Sequence, residues 1–112
     1  KDLLAAISGA RAGSFLAVLK RMGPQQSRFS FPMEGYTLAL DFPVNPRTLR
    51  LMDRLDEITL AHGGRFYLAK DARMTAETLR QSDPRTEDFL KMRDDMHRQT
   101  TFASAQSERL AL

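Results

Sequence analysis

One helix, fixed at both ends by residues that start and stop helices, constrains the fold more than any other feature of the sequence. Asn45 is a good N-cap, and Pro46 occupies the first helical position. Gly63 and Gly64 give a C-terminal stop, so the helix is predicted to end at about His62. Its apolar stripe at helical spacing consists of Leu51, Met52, Leu55, Ile58 and Thr59. The stripe predicts a helix that packs one side on a core.

Three apolar segments around this helix predict strands. Residues 14–22 contain a continuous apolar run at 15–19, which indicates burial on both faces. Residues 36–42 alternate between large apolar and small side chains, and Pro43 ends the pattern. Residues 65–69 follow the double glycine and predict a third strand.

The alternation divides the second strand into two unlike faces. The large apolar side chains, suited to packing on a helix, are Tyr36, Leu38, Leu40 and Phe42. Thr37 and Ala39 lie on the other face, which is small and mildly polar. That composition suits a surface turned toward a cofactor.

The order of elements predicts an α+β fold. A helix over residues 2–12 precedes the strands, and short helices over 75–81, 84–98 and 103–110 follow them. The resulting α-β-β-α-β order is a ferredoxin-like βαββαβ unit without its first strand, with an antiparallel or mixed sheet and helices on one face. We expect a domain over residues 1–74 and a helical tail over 75–112. The missing first strand suggests a chain cut at a domain boundary.

Composition excludes several classes of site. The absence of cysteine excludes disulfides, thiolate metal sites and cysteine nucleophiles, and it fits a reducing, cytoplasmic location. His62 and His97 match no metal-binding spacing, so no metal is expected. The net charge of +3 is spread along the chain without a basic run, which argues against nucleic-acid binding. No apolar run approaches the roughly 20 residues that a membrane span requires.

The segment GGRFYLAKD at residues 63–71 is the most unusual in the chain, because Tyr67 and Lys70 put a phenol and an ammonium at a predicted sheet edge. Strict alternation would place them on opposite faces. They can share a site only if the strand bends or ends near Ala69. The alternative interpretation is a core aromatic side chain with its hydroxyl at the rim, beside a solvated lysine.

Four passages resemble, in order, the C-terminal region of FAD-linked oxidases of the vanillyl-alcohol oxidase type. They are FLAVLKRMGP at 15–24, FPMEGYTLALDFP at 31–43, GGRFYLAKDARMTAET at 63–78 and FASAQSERL at 102–110. Within that family, they are most similar to the branch of decaprenylphosphoryl-ribose oxidases and aldonolactone oxidases. In such enzymes a separate N-terminal domain binds the ADP part of FAD, and a C-terminal cap domain covers the flavin ring.

The resemblance implies roles for five residues. Lys70 matches the family lysine near the pyrimidine edge of the flavin, a catalytic and cofactor-binding position. Tyr67 matches a tyrosine that lines the active site, a catalytic and substrate-binding position. Lys20, Thr37 and Ala39 match substrate-facing positions on the first two strands.

The resemblance also implies a function and partners. The chain would be the cap domain, residues 1–74, and the tail that packs on the FAD-binding domain of the same polypeptide. The enzyme would oxidise a hydroxyl of a small polyhydroxylated, sugar-type substrate by hydride transfer to flavin. Because the sequence has no Gly-rich phosphate loop, most of the FAD would be held outside this chain, which is expected to be inactive alone. The alternative is a non-catalytic ferredoxin-like module that binds a ligand or a protein.

Overall fold

The computed structural model of the chain describes residues 1–96 and 102–112. In these residues the fold is α+β, as predicted, with a two-stranded antiparallel sheet and five α-helices. The elements are α1 (Asp2–Gly9), β1 (Ala17–Met22), β2 (Gly35–Leu40), α2 (Pro46–Ala61), a 3-10 turn (Leu68–Lys70), α3 (Ala76–Ser82), α4 (Thr86–Asp95) and α5 (Ala105–Leu110). The α1-β1-β2-α2 order is compatible with a fragment of a ferredoxin-like fold. The predicted helix end near Arg98, and His97, lie outside the described residues.

The chain forms two compact units. Unit 1 comprises Lys1–Gln26 and Pro32–Gly63, and unit 2 comprises Ser27–Phe31 and Gly64–Leu112. The sheet, α1 and α2 therefore belong to unit 1, and the remaining helices belong to unit 2.

Helix α2 of unit 1 confirms the prediction made from its end residues. The Asn45 side chain accepts hydrogen bonds from the backbone N–H groups of Arg47 (3.1 Å) and Thr48 (3.0 Å). The Thr48 hydroxyl in turn accepts from the Asn45 N–H at 3.2 Å, which completes a capping box. Leu51 and Leu55 are buried from the predicted stripe, and α1 packs against this helix.

The predicted burial of the first strand is wrong. In β1 and the residues before it, Phe15 is 99% exposed, and Leu16 and Leu19 are exposed as well. The prediction that the large side chains of β2 are covered is also wrong for Tyr36, which is 73% exposed. Tyr36 lies opposite Arg21 at the loop end of a hairpin that has only two strands, so its side chain meets solvent.

The predicted third strand over 65–69 does not form. In the described part of the chain, both strands lie in the β1–β2 hairpin, and residues 68–70 form the 3-10 turn instead. Phe66 and Leu68 alternate as strand residues would. However, they pack on a cluster of buried side chains from unit 2, which consists of Met74, Leu79 and Leu110. The alternation therefore indicates only which side chains are apolar. A strand also needs a neighbouring strand with which its backbone can form hydrogen bonds.

Candidate functional site

The register of the hairpin brings three of the predicted site residues to one face. Lys20 is paired with Thr37, and Val18 is paired with Ala39. Paired residues of an antiparallel sheet share a face, and so do residues two apart on one strand. Lys20, Thr37, Ala39 and Val18 therefore form one surface, here called the hairpin face. Lys20 is exposed and the other three are half-buried, so the surface carries an ammonium and a hydroxyl above small side chains.

Tyr67 and Lys70 lie in unit 2, on a turn rather than a strand. The Lys70 N–H donates to the Tyr67 carbonyl at 3.0 Å, and the Asp71 N–H donates to the Leu68 carbonyl at 3.1 Å. The extended segment thus ends before Ala69, which is the condition under which the two residues can share a site. We call residues 67–70 the Tyr67–Lys70 turn. Both side chains at its ends are exposed, Tyr67 by 53%.

Helix α5 braces this turn with two side chains. The Gln106 Nε2 group donates to the Leu68 carbonyl at 2.6 Å and to the Asp71 carbonyl at 3.4 Å. Arg109 donates to the Asp71 carboxylate at 2.8 Å and to the Met74 carbonyl. Both the beginning and the end of the 3-10 turn are therefore held by one helix. We call Gln106 and Arg109 the α5 clamp.

Asp71 links the clamp to the backbone that follows the turn. Its Oδ1 accepts from the N–H groups of Arg73 (3.0 Å) and Met74 (2.8 Å), and its Oδ2 pairs with Arg109. Burial raises the pKa of Asp71, but the hydrogen bonds from Met74, Arg109 and Arg73 and the charge of Arg109 outweigh burial and lower the pKa below the usual range of an aspartate. The carboxylate is therefore ionised, and both of its oxygens accept hydrogen bonds.

A second ion pair fixes the short segment of unit 2 that touches Tyr67. Arg85 binds both oxygens of buried Asp83, at 2.7 and 2.6 Å, and donates to the carbonyls of Ser27 (3.0 Å) and Ser30 (2.7 Å). The next residue, Phe31, places its ring 5.4 Å from the ring of Tyr67. The segment that Arg85 holds therefore places an aromatic ring beside Tyr67.

The bracing residues escape sequence reasoning because they are polar and scattered. Gln106 and Asp71 lie in two passages that carry the family resemblance, 102–110 and 63–78, but nothing in either passage indicates that they are joined. Asp83 and Arg85 are a charged pair two residues apart, a pattern that is usually solvated. What marks Asp83 and Arg85 is the burial of the Asp83 carboxylate, and burial is visible only in the folded structure.

Residues 1–96 and 102–112 contain neither a metal-binding cluster nor a membrane-spanning helix. They hold no cluster of three or more histidine or acidic side chains placed to bind a metal ion. Nor does any helix among them combine the length and apolar character that crossing a membrane requires.

Comparison with known proteins confirms the predicted resemblance. No model of a protein family matches the chain. The chain is similar over its whole length, with 36% identity in 113 aligned residues, to the decaprenylphosphoryl-β-D-ribose oxidase of Mycolicibacterium smegmatis. It is also 37% identical over 97 residues, 85% of its length, to an uncharacterised protein in the mprA 5′ region of Streptomyces coelicolor. The chain spans 25% and 26% of these proteins, about a quarter of each.

Proposed function

We propose that this chain is the cap domain of an FAD-linked oxidoreductase that oxidises a hydroxyl of a sugar-type substrate. The observation that carries the proposal is the similarity along the whole chain to an oxidase whose name specifies a ribose derivative. The relatives are about four times longer than the matched segment, which leaves room for a separate FAD-binding domain in the same polypeptide. We place this segment in the C-terminal part of that polypeptide.

The donor groups of the Tyr67–Lys70 turn fit the redox ring of FAD. Reduction places negative charge along one edge of that ring, and a fixed ammonium is the matching group. Lys70 carries its ammonium on an exposed part of a turn whose backbone is held on both sides. The sequence has no Gly-rich loop for the diphosphate, so another domain would bind that part of the cofactor.

Lys70 and Tyr67 would act as catalytic residues. FAD, when bound, would supply the acceptor for the hydride that leaves the substrate carbon. Lys70 holds a positive charge where negative charge develops, and because the charge is fixed beforehand it stabilises the transition state without reorganisation. The Tyr67 hydroxyl would accept a hydrogen bond from the reacting hydroxyl and orient its proton, which passes to solvent water as the hydride departs, since the Tyr67 side chain is exposed.

The hairpin face would bind the substrate. Lys20 and Thr37 are cross-strand partners, so an ammonium and a hydroxyl can contact the same small molecule. Ala39 beside them leaves space next to the hydroxyl. Such a surface suits a polyhydroxylated or anionic substrate, because each polar group of the ligand then finds a donor or acceptor.

The test is anaerobic reduction of the flavin by substrate in the full polypeptide. We expect Lys70→Met to slow reduction by about tenfold or more, because a charge contact with the transition state is lost. Lys91→Met is the matched control, since Lys91 is an exposed lysine on α4 that pairs only loosely with Asp88 at 3.9 Å. Equal reduction rates in the two variants would remove Lys70 from the mechanism. A polypeptide that binds no FAD would overturn the proposed function as a whole.

A further inference from the structure

Helix α5 is too short to be stable by itself. It has six residues, and isolated helices shorter than about 12 residues are marginal in water. Its own capping box, Ser104 with Ser107, fixes its first turn. Leu110 is fully buried against Met74 and Leu79, which docks the last turn in the core of unit 2. Helix α5 is stable because it is docked, so the backbone that carries its polar side chains is held in place.

The two residues of the α5 clamp are aimed at a single target. Gln106 and Arg109 are three apart and share one side of the helix. Their four hydrogen bonds reach Leu68, Asp71 and Met74, which lie immediately around Lys70 in the chain. Gln106 contacts the backbone before and after Lys70. The clamp therefore restrains the backbone from which the lysine projects.

We propose that Gln106 and Arg109 are positioning residues for Lys70. They hold the Tyr67–Lys70 turn in one conformation, so that the exposed ammonium is presented from a fixed backbone. The effect on chemistry rests on the proposed function, whereas the restraint of the turn does not. A catalytic charge that is displaced by about 1 Å loses much of its effect, so a surface lysine needs such support.

The restraint is tested by hydrogen exchange of the Lys70 and Asp71 amides in the full polypeptide. Gln106→Leu should speed exchange at both amides by about fivefold, the factor that corresponds to one net hydrogen bond. Gln81→Leu is the matched control, because Gln81 is an exposed glutamine of α3 whose amide donates to Glu77 of the same helix at 3.1 Å. It should leave both amides unchanged. Unchanged exchange in Gln106→Leu would overturn the proposal.

The effect on chemistry is tested by a double-mutant cycle on anaerobic flavin reduction. Gln106→Leu should slow reduction by about threefold to tenfold in the wild-type background and have no further effect in the Lys70→Met background. Equal slowing in both backgrounds, or none in the wild type despite faster exchange, would overturn the positioning role. Arg109→Lys, which keeps a cation beside Asp71, should show a smaller loss than Arg109→Met. If Gln106→Leu fails to fold, the Arg109→Lys and Arg109→Met variants take its place in the same measurements of amide exchange and flavin reduction.

The two proposals fail in different ways. If Lys70→Met leaves flavin reduction unchanged, the proposed function of Lys70 is lost, whereas the exchange experiment still decides whether the clamp restrains the turn. If Lys70→Met slows reduction and Gln106→Leu does not, the function stands and the positioning role is wrong.

Discussion

The hairpin face of unit 1 and the Tyr67–Lys70 turn of unit 2 present similar polar groups on very different supports. The hairpin face is held by the ladder between β1 and β2, and the register alone decides that Lys20 and Thr37 meet. The turn has no ladder. Its conformation depends on side chains of a helix that lies more than thirty residues further along the chain, as the Gln106–Leu68 hydrogen bond shows.

Local pattern and distant contact therefore contribute differently to the two surfaces. Side-chain alternation fixes which residues share the hairpin face, so a change in one residue leaves the others in place. In unit 2 the site backbone, the clamp and the core are coupled, because Leu110 docks the helix that carries Gln106 and Arg109. Disturbing the core of unit 2 should therefore disturb the turn.

The largest expected difference between the units concerns their cores. Leu110→Ala empties a site with 0% exposure and should cost toward the upper end of the about 2–5 kcal/mol typical of buried leucines. Leu55→Ala, at 8% exposure in unit 1, should cost toward the lower end. Hydrogen exchange in the full polypeptide reports local opening of each unit separately. A larger loss from Leu55→Ala than from Leu110→Ala would contradict the ranking.

The pH dependence of stability also separates unit 2 from unit 1. Burial raises the pKa of both Asp71 and Asp83, but the hydrogen bonds and charges around them, led by the Met74 N–H for Asp71 and by Arg85 for Asp83, outweigh burial and hold both pKa values below the usual range of an aspartate. Unfolding therefore lets these carboxylates take up protons more readily. Their contribution to stability is fully present above about pH 5 and is lost as the pH falls through the lowered pKa values. Unit 2 should therefore lose stability in acid. The Asp71→Asn variant should have a lower free energy of unfolding at neutral pH and should lose less of it in acid. Denaturant titrations at several pH values measure both. If the free energy of unfolding of Asp71→Asn falls with pH in parallel with that of the wild type, the Asp71–Arg109 ion pair is not the cause of the acid loss.

The smallest expected effect concerns the proposed binding of substrate by the hairpin face. Lys20→Ala should raise KM about fivefold with little change in kcat, because one charged contact to the substrate is lost. Arg21→Ala is the control, since Arg21 is the next residue on β1 and lies on the opposite face. Steady-state kinetics of the two variants separate the faces. If both variants raise KM equally, general surface charge rather than the hairpin face attracts the substrate.

Sequence reasoning succeeded where the physical cause is local. Asn45 and Pro46 define the beginning of α2 through bonds within four residues of the chain, and the bounds agree with the structure to within one residue. Alternation in β2 correctly places Thr37 and Ala39 on one face. Both features follow from backbone geometry that neighbouring residues determine.

It failed where the cause is distant. Phe66 and Leu68 have the pattern of a strand, but the cluster of Met74, Leu79 and Leu110 takes up their side chains without a strand partner. The clamp could not be predicted either, because a glutamine in a short polar helix ordinarily faces solvent. Only the docking of α5 turns Gln106 toward the backbone on either side of Lys70.

The midpoint potential of the flavin reports on the proposed position of Lys70 beside the redox ring. A fixed ammonium beside the ring stabilises its reduced, negatively charged form, so Lys70 should raise the potential. In the full polypeptide, Lys70→Met should lower it by about 30 mV or more, the equivalent of a tenfold change in a two-electron equilibrium. Lys91→Met should leave it unchanged. If the flavin of the Lys70→Met variant has the wild-type midpoint potential, the claim that this lysine faces the redox ring is wrong.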